Sequence, residues 1–195
     1  LVISNFIICL FCIYYISNKY QLSLDFIFVQ NLLIILSVIF IFNFFGKSFL
    51  GDSGTYSISF VVGIVCINFA YNNYLIMSPY FIASVLWYPA IENLFSILRR
   101  FFFKKKLSKA DNNHLHHFLY LVIKKNNFIK NNLFLNTFTG IIINSYIFLS
   151  VFIATFYYDH TKTLLIIILF NVFIYFSLYR YLYRVLDLKK KNLRL

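Results

Sequence analysis

Six apolar runs, each near the length that crosses a bilayer core, alternate with short polar segments along this chain. They cover roughly 1–16, 25–43, 56–72, 79–98, 138–157 and 163–183. No period-two alternation of apolar and polar positions runs through them. Backbone groups in lipid must be satisfied within their own segment, so each run predicts a helix. The expected fold is all-α, a polytopic membrane helix bundle of about six transmembrane helices, with 1–195 forming a single membrane domain. No internal repeat is visible. Segment 1–16 lacks the basic start and small-residue cleavage site of a secretory leader and reads as a span.

Composition agrees with that class. The chain is 61% hydrophobic and 12% charged, with a mean hydropathy of +0.77. A soluble domain carries about a quarter charged residues, so this one has too little polar surface to cover itself in water. The excess of Phe, Ile, Asn, Lys and Tyr accords with A/T-rich coding, and individual aromatics therefore carry little weight. Cys9, Cys12 and Cys66 sit inside apolar runs without metal-ligand spacing to the histidines, and Cys9 and Cys12 read as small packing hydrophobes.

Charge adds a direction. If segment 44–55 faces the cytoplasm, that side holds 16 of the 18 basic residues, leaving Lys19 and Lys162 on the other. This is the asymmetry of the positive-inside rule. The net charge of +12 hugs the ends of the spans, which fits topology and anionic headgroups and argues against a nucleic-acid partner. On this reading the C-terminus and both polar clusters described next are cytoplasmic.

The first cluster is Lys47-Ser-Phe-Leu-Gly-Asp52-Ser-Gly-Thr55. One reading makes it a turn, with Asp52, Ser53 or Thr55 capping a helix that starts near 56. The other notes that a cap does not require glycine on both sides, whereas glycines let a metal or phosphate approach the backbone near a helix N-terminus. The second cluster is Asp111-Asn-Asn-His114-Leu-His116-His117. Three of the four histidines stand in four positions. On a helix His114 and His117 share a face; on an extended segment His114 and His116 do. Zinc would need Asp111 or a distant fourth ligand, and anion and sugar binding by imidazole donors amid basic residues is the favoured use. Glu92 follows Pro89 in an apolar run, where a carboxylate is costly unless paired; an internal ion pair with an arginine is favoured over a direct catalytic role. Arg99, Arg100, Lys104, Lys105 and Lys106 suit headgroup anchoring, and either arginine suits a diphosphate.

At these residues the chain resembles a known family. GKSFLGDSGTYSISF is similar to the glycine-flanked aspartate motif of polyprenyl-phosphate N-acetylhexosamine-1-phosphate transferases, and YPAIENLFSILRR and ADNNHLHHFLY resemble the family's ensuing span and its histidine loop. The family includes the enzyme of the first lipid-linked peptidoglycan precursor and those that start O-antigen, enterobacterial common antigen and teichoic acid linkage units. The Pro-x-x-Glu span, paired arginines and two following spans favour the undecaprenyl-phosphate GlcNAc-1-phosphate transferase branch. The resemblance covers the chain but only the C-terminal part of a family member, so a piece of a longer transferase is expected.

It implies an enzyme that transfers a sugar-1-phosphate from a UDP-N-acetylhexosamine to a polyprenyl phosphate, releases UMP and initiates a cell-envelope glycan such as lipopolysaccharide. It also implies a bacterial cytoplasmic membrane, magnesium as cofactor with manganese as its alternative, membrane lipid as a partner and an oligomer as a compatible state. Asp52 would be catalytic and hold the metal; His114, His116, His117, Arg99, Arg100 and Lys47 would bind substrate. The family's earlier paired aspartates and Asn-x-x-Asp-Gly-x-Asp-Gly motif do not occur here, so the chain is expected to be inactive alone. Asn112 stands where a basic residue is common, and Ser59 where a glycine is. The rival reading is a non-catalytic or degenerate membrane subunit or transporter component.

Overall fold

A computed structural model describes residues 2–102, 113–125 and 131–192, the side chains of 133 and 187–192 excepted. Lys104, Lys105, Lys106, Asp111 and Asn112 lie outside the described residues. The fold is all-α: α1 (Val2–Tyr20), α2 (Phe26–Phe44), α3 (Gly51–Asn72), α4 (Tyr80–Val85), α5 (Trp87–Phe102), α6 (Leu115–Lys125), α7 (Asn132–Thr155) and α8 (Thr161–Asn192). Five of these, α1, α2, α3, α7 and α8, are long and apolar enough to cross a membrane. The helices fall in two compact units, 1–86 with 144–168 and 87–143 with 169–195.

In the first unit α1 packs on α2 and α3. Its buried residues, among them Cys9, Leu10, Cys12, Ile13 and Ile16, surround much of its girth. By contrast α2 buries only Val29 and Leu36, two turns apart, and turns Ile27, Ile34, Ile35, Val38 and Ile41 outward. An apolar face of that kind suits lipid, not water. All three cysteines are buried thiols, and Cys9 Sγ lies 3.7 Å from Cys66 Sγ between α1 and α3.

Three short connections meet at one end of this unit. Asn73 donates through Nδ2 to the carbonyls of Ser23 (2.9 Å) and Phe69 (2.8 Å), and its Oδ1 accepts from the Ser23 amide (2.8 Å). The Ser78 amide donates to the Tyr158 carbonyl (2.9 Å), and the Ser78 and Thr161 hydroxyls are 2.9 Å apart. Tyr20 and Tyr158 close the set with ring centroids 4.7 Å apart. Segments 17–24, 73–78 and 158–162 are the ones the basic-residue asymmetry assigns to a common side.

The α4–α5 segment differs from the continuous span expected over 79–98. It breaks at Leu86, which leaves helical geometry (φ −96°, ψ 12°) as its amide closes α4 onto the Ile82 carbonyl at 3.0 Å. Pro89 is the reason. Within a longer helix it would leave the Val85 carbonyl without its donor and collide with it; in the first turn of a new helix its missing N–H costs nothing. The restarted α5 buries Trp87, Tyr88, Glu92 and Ser96 on one face.

Another departure is at α3, which begins at Gly51, five residues earlier than expected. Gly46 (φ +69°) ends α2 with the Lys47 amide on the Phe42 carbonyl (2.9 Å) and its own amide on the Asn43 carbonyl (3.0 Å), a paired closure that needs a left-handed residue. Gly51 (φ +65°) then turns the chain into α3. Hydroxyls inside the first turns bond back to carbonyls four residues earlier: Thr55 to Gly51 (2.8 Å), Ser57 to Ser53 (3.0 Å), Ser59 to Thr55 (2.6 Å). A run that reads as loop by polarity is thereby carried as helix.

Candidate functional site

Asp52 sits in the first turn of α3. The cap that one reading offered from Asp52, Ser53 or Thr55 is not made: the helix starts earlier, Leu50 precedes it in αR geometry, and it has no side-chain cap hydrogen bond. Both glycines have local reasons of their own. Gly51 holds a left-handed φ in open space, whereas a Cβ at Gly54 would meet Leu50 Cγ at 3.0 Å and Cδ1 at 3.1 Å, so Gly54 lets Leu50 fold back over the turn. Asp52 is exposed and makes no hydrogen bond or ion pair among the described residues. A lone carboxylate of this kind fits a hard cation that draws its other oxygens from phosphate and water. Lys47, also exposed, lies on the same α2–α3 connection.

The histidines belong to the second unit. His114 stands just before α6, and its carbonyl accepts from the amides of His117 and Phe118, each at 3.1 Å. Its ring pairs with that of His116, centroids 5.4 Å apart and nearly parallel, as on an extended segment; His117 turns to stack on Tyr120 at 6.3 Å. The start of the helix at Leu115 divides the triplet in this way.

Glu92 has an internal partner, but it is His114 and not the arginine expected. Glu92 Oε1 accepts from His114 Nδ1 at 2.9 Å and from the Leu115 amide at 3.0 Å. A carboxylate only accepts, so Nδ1 of His114 carries a proton. Oε2 of Glu92, the hydroxyls of Tyr88 and Tyr175 and Nδ1 of His116 are buried and outside hydrogen-bond geometry with any described group. Both hydroxyls nevertheless lie close enough to interact with the carboxylate. Burial pushes the His116 imidazole down to about 4; the Glu92 carboxylate opposes the shift, and His114 and His117 add to it.

Arg99, two turns beyond Glu92 on the same face of α5, donates through Nη1 to the Asn113 carbonyl and to the Tyr179 hydroxyl, both at 2.6 Å. Tyr179 in turn donates to the Asn113 carbonyl at 3.2 Å. The guanidinium lies over the rings of Phe95 (5.4 Å) and Tyr179 (5.8 Å). Arg100 follows, half-buried, in the last turn of α5. Phe118 packs α6 on Tyr179 and Tyr183 of α8 at 5.0 and 6.0 Å. The structure thus brings Glu92, Arg99 and His114 together with Asn113 and three tyrosines; Asp52 and Lys47 lie in the other unit.

Tyr88, Tyr175 and Tyr179 were missed on sequence. Tyr175, Tyr179 and Tyr183 recur every fourth residue, which marks one helix face, and that spacing was the available signal. A scan of protein-family models, a search of curated proteins and a search of solved structures each return no match.

Proposed function

We propose that this membrane protein transfers a sugar-1-phosphate of the N-acetylhexosamine class from a UDP-sugar to a polyprenyl phosphate, releasing UMP. The observation that carries the reading is Asp52, an exposed carboxylate in a helix first turn that neither caps the helix nor pairs with a described residue. The motif resemblance supplies the reaction. The proposed orientation puts 44–55, 99–137 and the C-terminus in the cytoplasm of a bacterial cell, where the nucleotide sugar is made.

Phosphoryl transfer needs charge neutralised and reactants aligned more than covalent catalysis. Asp52 would hold magnesium, which when bound neutralises phosphate charge. Lys47 and Arg100 supply fixed positive charge for the diphosphate. His114, His116 and His117 hydrogen-bond sugar and phosphate groups, with His116 neutral at physiological pH and so able to donate from one nitrogen only. The prenyl tail stays in lipid.

Asp52→Asn, in protein expressed from the complete reading frame, tests the role of the carboxylate. Transfer should be nearly abolished with membrane insertion intact. Near wild-type turnover at limiting magnesium would reject it.

A further inference from the structure

We propose that Glu92 and Arg99 form a two-point brace on α5 that sets the rotation of the His114 ring and the start of α6, making them positioning residues for the nucleotide-sugar contacts. The inference rests on the transferase reading above for its functional arm only; its structural arm stands by itself.

The geometry is specific. Residues seven apart on a helix lie on nearly one face, about 10 Å apart along the axis. Too far apart to pair directly, the two side chains grip successive points of one short segment. Arg99 takes the Asn113 carbonyl, with Tyr179 as a second donor to the same oxygen. Glu92 takes the His114 ring and the Leu115 amide through one oxygen. A positive group therefore holds a carbonyl and a negative group holds an amide and an imidazole, so each grip is charge-assisted and can be made in one direction only.

The consequence falls on His114. With Nδ1 committed to Glu92, Nε2 is its remaining polar atom, and it makes no hydrogen bond among the described residues. Nε2 is thus the atom offered to substrate: it accepts from a sugar hydroxyl, and it donates to a phosphate oxygen when the ring carries its second proton. The ring of His116, stacked on that of His114, inherits the same orientation. The cost of a carboxylate in an apolar segment is offset in part by these two bonds.

Because a single oxygen accepts both bonds, an amide oxygen can replace it. Glu92→Gln should therefore keep the brace, whereas Glu92→Leu should remove it. Hydrogen exchange of the Leu115 amide in the full chain in nanodiscs reads this without any activity. Leu115 should exchange at least about 10-fold faster in Glu92→Leu, as expected when a hydrogen bond to a charged group is lost, and within about 3-fold of wild type in Glu92→Gln, a hydrogen bond being retained. Nitrogen-15 shifts should keep His114 protonated at Nδ1 in Glu92→Gln and release it to exchange between tautomers in Glu92→Leu. Unchanged Leu115 exchange in Glu92→Leu, or equal acceleration in both variants, would overturn the brace. In the functional arm, kcat/KM for UMP release should fall about 100-fold in Glu92→Leu, the scale of a misplacement near 1 Å, and be largely rescued in Glu92→Gln. Undiminished kcat/KM in Glu92→Leu would likewise overturn the positioning role. Wild-type protein that releases no UMP yet shows the exchange pattern would count against the transferase reading and leave the brace standing.

Discussion

Acidification should loosen the start of α6 through His116. Its imidazole is held down to about 4, chiefly by burial, while the unfolded segment keeps a value near 6.5. Between those values the open form binds more protons than the closed one, so stability rises with pH across that window and is lost as pH falls through it. The contribution is complete above about 6.5 and gone below about 4. At pH 5 the difference amounts to about 2 kcal/mol, from roughly 1.5 units at 1.36 kcal/mol each. In hydrogen exchange this corresponds to about a 30-fold greater opening of the α6 amides at pH 5 than at pH 7, after correction for intrinsic exchange. Glu92, His114 and His117 face His116, so the decisive quantity is a difference. His116→Gln should lose most of that pH dependence and wild type should show it. Equal pH dependence in both proteins, or wild type becoming more protected on acidification, would refute the argument.

Two further outcomes follow from the first unit. Asn73→Ala removes two hydrogen bonds that tie the end of α3 to the 21–25 connection and a third to the Phe69 carbonyl of α3; melting in detergent should show a loss of about 1–3 kcal/mol, and an unchanged melting temperature would mean that the connection is held by packing alone. In a background lacking the three native cysteines, Tyr74→Cys should react with an impermeant thiol reagent from the outer face and Ser53→Cys only after permeabilisation; the reverse pattern would invert the proposed topology.

Much of the helical plan is legible in the sequence because span length and apolar content are local properties. The positions of α1 and α2 follow the apolar runs to within a few residues, whereas α7 begins at Asn132, ahead of its run, and α8 continues to Asn192, past the end of its run. What misled was local chemistry inside those runs. Pro89 looks like a tolerated residue in a span, yet the helix breaks before it. The polar stretch after Gly51 looks like loop, yet its hydroxyls bond backward and keep it helical. At the candidate site the residue types were legible and the partners were not. Glu92 needed a partner, and the arginine two turns away was the nearest choice in sequence. The partner is instead His114, 22 residues on, because the pairing depends on where α6 packs. Arg99 was assigned to a diphosphate for its charge, but its Nη1 serves a carbonyl and a tyrosine, contacts that no spacing rule reveals. Discounting the aromatics hid the tyrosine face of α8 on which Phe118 and Arg99 rest.

The most direct test of the proposed transfer follows UMP. Protein expressed from its complete reading frame is reconstituted with a polyprenyl phosphate, magnesium and UDP-N-acetylhexosamines, and UMP and lipid are quantified together. The account predicts one UMP for each polyprenyl-diphospho-sugar formed, dependent on the lipid phosphate and lost in Asp52→Asn. Folded, membrane-inserted protein that forms neither product with any of these UDP-sugars would contradict it.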